Sequence, residues 1–223
     1  MKEYYANKLS ANKLKRCYDI ASPRIKQYLK AEINFVIEQI HCSDKVLELG
    51  CGYGRVLKEL AKMASKVTGI DTSIESLELA KEYLMNIRNV ELHQMNAKSL
   101  SFENETFEVV IAIQNGISAF KVKPEILLKE SLRVIKPNGK LVLSSYSDKF
   151  WDERLKWFIQ QSEEKLLGEI DFKKTGDGKI VCKDGFVAST FTKEDFKKLL
   201  KKMKLKGTII EIDKSSIFCV IIK

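Results

Sequence analysis

The residues of this chain best placed to do chemistry lie in one run, Val46-Leu47-Glu48-Leu49-Gly50-Cys51-Gly52-Tyr53-Gly54-Arg55. A short apolar stretch passes straight into three glycines at alternate positions. Glycine takes positive φ and, having no Cβ, lets a ligand lie against bare backbone. Amides at the start of the helix that follows are donors without an intrahelical partner. The spacing is G-x-G-x-G, whereas a turn built to receive a pyrophosphate has the form G-x-G-x-x-G. Glu48, two residues before the first glycine, is a poor neighbour for a pyrophosphate and a good one for a cation. A second acid, Asp71, follows the β-rich run Lys66–Ile70. An ionised carboxylate there offers two acceptor oxygens to a pair of ribose hydroxyls.

Such residues need a sheet whose strand ends carry them. Lys45–Leu49 reads as the first strand, with a helix from about Arg55 to Met63, and Lys66–Ile70 as the second. Ser73 caps a helix running through Leu77, Ala80 and Leu84. Val90–Met95 is a third strand, ending at Asn96-Ala97. Phe107–Ile113 is nearly all apolar, as a central parallel strand buried on both faces should be. It ends at Gln114-Asn115-Gly116, and open α/β sheets bind their ligands at the carboxyl ends of strands. Pro124 starts another helix, Lys136-Pro-Asn-Gly139 turns the chain, and Lys140–Ser145 is a fifth strand.

Beyond Tyr146 the alternation of strand and helix breaks. Trp151, Leu155, Phe158 and Ile159 recur at helical spacing. Thr175-Gly-Asp-Gly178 predicts a hairpin turn between residues 169–173 and 179–182. Phe191–Met203 is a helix with Thr192 as cap, and Gly207–Asp213 and Ser216–Ile222 form a closing hairpin. Upstream of the sheet, Ser22-Pro23 opens an amphipathic helix through Ile40. Residues 1–20, with Tyr4, Tyr5, Leu9 and Leu14, predict one or two short helices.

In order and spacing, Glu48-Leu-Gly-Cys-Gly-Tyr-Gly54, Gly69-Ile-Asp71-Thr-Ser73 and Asn96-Ala97 resemble motifs one to three of the class I methyltransferases that use S-adenosylmethionine. The resemblance is close over about residues 45–145 and extends in outline to the rest. It implies an α/β fold with a Rossmann-like seven-stranded mixed sheet, mostly parallel with one antiparallel strand and helices on both faces. It implies one methyltransferase domain over 1–223, with 1–42 as an N-terminal helical lid and 146–191 as an inserted segment shaping the acceptor pocket. Trp151, Trp157, Phe158, Phe172 and Phe186 make that insertion aromatic-rich.

The same resemblance places the S-adenosylmethionine site at Tyr18, Arg24, Tyr28, Glu48, Gly50, Cys51, Gly52, Gly54, Asp71, Thr72, Asn96, Ala97 and Gln114. Asn96 stands where relatives carry an aspartate that accepts from the adenine amino group; its amide oxygen accepts the same bond more weakly. The expected reaction is direct in-line displacement onto a small-molecule acceptor, with S-adenosylhomocysteine as product and no metal. Tyr18, Gln114, Asn115 and Tyr146 are the candidates for orienting the acceptor, and none is assigned as a base.

Composition narrows the alternatives. A chain of 223 residues fits one domain with a sizeable core. Five cysteines, at 17, 42, 51, 182 and 219, show no C-x-x-C spacing, so free thiols are expected and neither a disulfide framework nor a zinc site. Only His41 and His93 are present, which argues against a histidine base, and His93 reads as a plain strand position. No apolar run approaches a membrane span and Met-Lys-Glu-Tyr-Tyr lacks a signal-peptide core, so a cytoplasmic protein is expected. The net charge of +9 invites a nucleic-acid partner, but the lysines gather at Lys8 to Lys30 and at 197–206 with the spacing of a solvated helix face. Two alternatives stand beside a small-molecule enzyme: an RNA methyltransferase, and a non-catalytic protein that binds S-adenosylmethionine. Oligomeric state is not read from the sequence.

Overall fold

The computed structural model describes residues 9–223, so the helix expected around Tyr4 and Tyr5 and the basic Lys8 lie outside the described residues. Two helices come first, α1 (Ala11–Asp19) and α2 (Pro23–Ile37). Ser22 starts α2 as expected: its Oγ accepts from the Ile25 amide at 3.2 Å, and Pro23 fills the first turn.

The sheet then unfolds in order: β1 (Lys45–Leu49), α3 (Arg55–Leu60), β2 (Lys66–Asp71), α4 (Ile74–Tyr83), β3 (Val90–Gln94) and β4 (Phe107–Ala112). It continues through α5 (Gly116–Ala119), α6 (Pro124–Val134), β5 (Ile135–Tyr146), α7 (Trp151–Glu163), β6 (Lys179–Val181), β7 (Val187–Ser189), α8 (Lys193–Met203), β8 (Gly207–Ile212) and β9 (Ser216–Ile222). The seven-stranded order is β3-β2-β1-β4-β5-β9-β8. Strand β9 alone runs against its neighbours, pairing antiparallel with both β5 and β8. The order therefore reverses between β1 and β4, which opens a crevice at the carboxyl ends of those two strands.

Alternation along β1 decides what faces the crevice. Leu47 and Leu49 pack on the sheet face covered by α6 and α8, while Val46 packs on the face covered by α2, α3 and α4. Glu48 shares the parity of Val46, so the strand itself carries a carboxylate into the interior. Both faces of the central strands are apolar, which fits the near-continuous hydrophobic run of β4. A third cluster joins α1, α2, α7 and the β6–β7 hairpin through Tyr28, Tyr146, Phe150, Trp157, Phe158 and Phe186. It roofs the carboxyl ends of the strands.

Two local expectations are corrected. Lys136–Gly139 is a bulge inside β5 and not a turn before it: Ile135 pairs with Phe107, then Lys140 with Val109, and Asn138 takes φ +64. Pro137 can sit there because a bulge needs no ladder amide from it. The Asp177-Gly178 turn forms, with φ of +47 and +73, and residues 169–171 meet 181–183 as expected, through the antiparallel bridge Ile170–Cys182 and the Asp171 amide donating to the Val181 carbonyl at 2.8 Å. The continuous ladder of β6, however, is with β7, which the turn signal alone did not reveal.

Candidate functional site

One cavity of about 770 Å³ lies over the crevice, walled by the β1 loop, the tips of β2 and β4, residues 95–97, α1, α2, α7 and residues 184–187. Gly50 and Gly52 hold the loop open at φ +72 and +53. A Cβ on Gly50 would meet the Phe120 ring at 2.5 Å, so the ring and the bare backbone need each other. Asp71 fixes the loop from the next strand, Oδ2 accepting from the Gly52 amide at 2.8 Å and Oδ1 from the Ser73 amide at 2.9 Å.

Glu48 is 5% exposed, and its Oε2 is buried without a hydrogen-bond partner among the described residues. Burial pushes its carboxyl up to about 8; the Arg55 guanidinium pulls it back and the Asp71 charge raises it further. Arg55 stands at the first position of α3, where the helix dipole disfavours a cation. It stays because its guanidinium stacks 4.7 Å above the Tyr18 ring, and its Nη2 is also buried with no partner.

Gln114 completes this wall. Its backbone is left-handed at φ +55, a conformation that costs free energy for a residue with a side chain. Two acceptors hold the amide there, Glu32 Oε2 at 2.8 Å and Ser144 Oγ at 2.9 Å. Glu32 is fully buried, which lifts its carboxyl to about 7 despite the bond from that amide. The Gln114 side-chain oxygen accepts from the Tyr18 hydroxyl at 3.1 Å, leaving Nε2 buried and unpartnered on the cavity wall.

The family model described as a methyltransferase domain matches residues 46–139, the segment holding the glycine loop, Asp71, Asn96 and Gln114. Over residues 46–139 the chain is similar to methyltransferase domains. An uncharacterised protein of Methanocaldococcus jannaschii is 27% identical over 93% of this chain and 75% of its own. A ubiquinone biosynthesis O-methyltransferase of Pseudomonas fluorescens is 29% identical over 51% of this chain and 49% of its own. A solved Pyrococcus horikoshii protein superposes with TM-score 0.67 at 23% identity, covering 100% of this chain and 99% of that one. For most of the first curated relatives the chain spans about half their length or less, down to 37% for a Caenorhabditis elegans sterol 4-C-methyltransferase.

Within that segment and the roof over it, most of the expected site residues come together. Tyr18, Tyr28, Glu48, Gly50, Cys51, Gly52, Asp71, Thr72, Asn96, Gln114 and Tyr146 line the cavity, as does Ala97. Three do not. Arg24 turns away to Asp213, donating to Oδ2 at 2.6 Å and to the carbonyl at 2.9 Å, which pins α2 to the β8–β9 turn. Asn115 spends its side chain as a brace: Oδ1 accepts from Ser145 Oγ at 2.8 Å and Nδ2 donates to the Ser189 carbonyl at 3.0 Å. Gly54 caps α3 at φ +85, and a Cβ there would meet Leu84 and not a ligand.

The structure adds Arg55, Tyr53, Leu14, Phe120 and Gln161 to the lining. Arg55 had a readable signal, a cation in the first turn of a helix. Gln161 had one as well, a polar residue one turn beyond Trp157 and Phe158 on the same helix face. Among the described residues no cluster of His, Cys, Asp and Glu could hold a metal, and no helix is long and apolar enough to cross a membrane. In the basic stretch of α8, Lys197 pairs with Glu194 and Lys202 with Glu125 on α6.

Proposed function

We propose that this chain binds S-adenosylmethionine in the crevice between β1 and β4 and transfers its methyl group to a small-molecule acceptor. The observation that supports this most is a set of three partnerless polar atoms on one wall: the carboxyl Glu48 Oε2, the guanidinium Arg55 Nη2 and the amide Gln114 Nε2. Buried polar atoms without partners are costly unless a ligand completes them. An acid beside two donors complements an amino-acid zwitterion, which is the methionine end of the donor.

Asp71 suits the ribose hydroxyls, and Asn96 with Ala97 lies where the adenine would rest. When bound, S-adenosylmethionine supplies an electrophilic methyl on a sulfonium, a good leaving group. The chain's part is then proximity, alignment and exclusion of water. Tyr18 spans both tasks, holding Gln114 through its hydroxyl and Arg55 through its ring. Helices α1 and α2 act as the lid, and residues 146–191 shape the acceptor side. The small-molecule relatives support this acceptor class, and nothing in the site favours an RNA acceptor or a purely binding role.

Calorimetric titration with S-adenosylhomocysteine tests the donor site. Binding that weakens in both Glu48→Gln and Arg55→Met is expected; no binding by the unaltered protein would overturn the reading. A metabolite pool incubated with methyl-labelled donor then identifies the acceptor by mass.

A further inference from the structure

Helix α2 meets the sheet with a buried face of Ile25, Tyr28, Leu29, Ile33, Phe35 and Val36, and with one carboxyl among them, Glu32. A carboxyl taken out of water costs free energy, and an apolar side chain of similar volume in its place is often neutral or stabilising. The helix does not need Glu32 to hold it. Arg24 and Gln27 both donate to the Asp213 carboxylate at 2.6 Å, and the Phe35 ring packs 4.3 Å from that of Phe218. What Glu32 holds is Gln114.

The chain leaves β4 through two neighbouring residues in the left-handed region, Gln114 at φ +55 and Asn115 at φ +64. Residues with side chains persist there when their surroundings over-determine them. Each has its own brace. Asn115 is tied through its side chain to Ser145 and Ser189. Gln114 is tied through its main chain, the amide donating to Glu32 Oε2 on α2 and to Ser144 Oγ on β5. The Gln114 side chain is thereby left to the cavity. Its Oε1 accepts from the Tyr18 hydroxyl, and Nε2 remains on the same wall as Glu48 and Arg55.

Both forms of the Glu32 carboxyl can serve in this clamp. Burial raises it to about 7, so both are present near neutrality, and each keeps an oxygen that accepts from an amide. The clamp therefore depends on an acceptor at this place and not on a charge.

Resting on the reading of the crevice as the donor site, we propose that Glu32 and Ser144 are positioning residues for the methyl donor. Acting through the Gln114 main chain, they hold its side-chain amide against the amino-acid end of S-adenosylmethionine, so that an acceptor on the lid helix sets the strength of donor binding.

The test is calorimetric titration of the full chain with S-adenosylhomocysteine. Glu32→Leu, which removes the acceptor, is expected to weaken binding about tenfold or more, and Glu32→Gln, which keeps a carbonyl oxygen there, by less than about threefold. Gln114→Ala should also weaken it about tenfold. In the double variant Glu32→Leu/Gln114→Ala the two losses should not multiply, because the brace has nothing to act on once the amide it aims is gone. Ser144→Ala gives the same cycle with a smaller single loss, and carries the test should Glu32→Leu fail to fold in thermal melts. An affinity indifferent to Glu32→Leu and Ser144→Ala, equal losses in Glu32→Leu and Glu32→Gln, or losses that multiply with that of Gln114→Ala would each overturn the inference while leaving the donor site standing. Failure of S-adenosylhomocysteine to bind the unaltered protein would remove both.

Discussion

The two arms of the cavity are built from different parts of the chain. The donor arm is made at strand ends: Glu48 closes β1, Asp71 closes β2, and Gln114 follows β4, each placed by parallel pairing within the sheet. The other arm is made by α1, α7 and the β6–β7 hairpin, which lie outside the large sheet, together with Tyr146 at the end of β5. One arm uses backbone amides and charges that a rigid ladder positions to within a hydrogen bond. The other uses rings and a single amide carried on a helix face. The contrast teaches which half of the cavity can vary without disturbing the sheet: the second arm is built mostly from parts the ladder does not need.

The sharpest way to break this comparison is Gly52→Val. A β-branched residue is strained at φ +53, and a Cβ there sits 3.0 Å from the Leu14 side chain. Donor affinity by calorimetry should fall about a hundredfold or more. Next, Arg55→Met keeps the stem and removes one charge-assisted hydrogen bond, a loss of about 1.5–3 kcal/mol. That corresponds to about ten- to a hundredfold in donor affinity, read by the same titration.

Glu48 gives a pH signature confined to the donor arm. Its carboxyl is raised from 4.5 to about 8 in the free protein, so below that pH it is mostly neutral. A cationic donor favours the ionised form, so binding releases a proton. Affinity should therefore climb as pH rises from about 6 and level off above about 8, by at most about tenfold per pH unit. The stability effect has the opposite sign. The neutral form is preferred on folding, so free-protein stability is lost as pH rises from 4.5 through about 8. Glu48→Gln should flatten both trends, seen in titrations run in two buffers of different ionisation enthalpy and in thermal melts. The smallest effect belongs to Arg24→Ala. Its partly buried pair with Asp213 lies outside the cavity, so stability should drop by about 1 kcal/mol with donor affinity unchanged.

The donor arm was the legible one. Glycine spacing, an acid at fixed distance and apolar runs of strand length are local patterns, and local patterns survive in a sequence read alone. Caps at Ser22, Ser73 and Thr192 were readable for the same reason, each satisfied within three residues. What stayed hidden depends on contacts across the fold. Arg24 looked like a lid residue because nothing nearby reveals that Asp213, 189 positions on, captures it. Asn115 looked like an orienting group because its partners, Ser145 and Ser189, are brought in by β5 and β7. Gln161 was passed over because a glutamine on a helix reads as surface until the rings beside it are seen to be buried.

Ser145 carries a consequence for anyone who would rebuild this fold. Its hydroxyl donates to Asn115 and accepts from the Phe191 amide at 2.8 Å, so the whole excursion from residue 146 comes home at one oxygen. A foreign segment spliced between those points would need to offer a main-chain donor to that serine and a carbonyl to Asn115. It would also need to rebuild the seam with the N-terminal helices, where Trp157 and Gln160 now donate to the Cys17 and Ile20 carbonyls. Grafting this recess onto related sheets is therefore an engineering problem of matching a socket and a seam together.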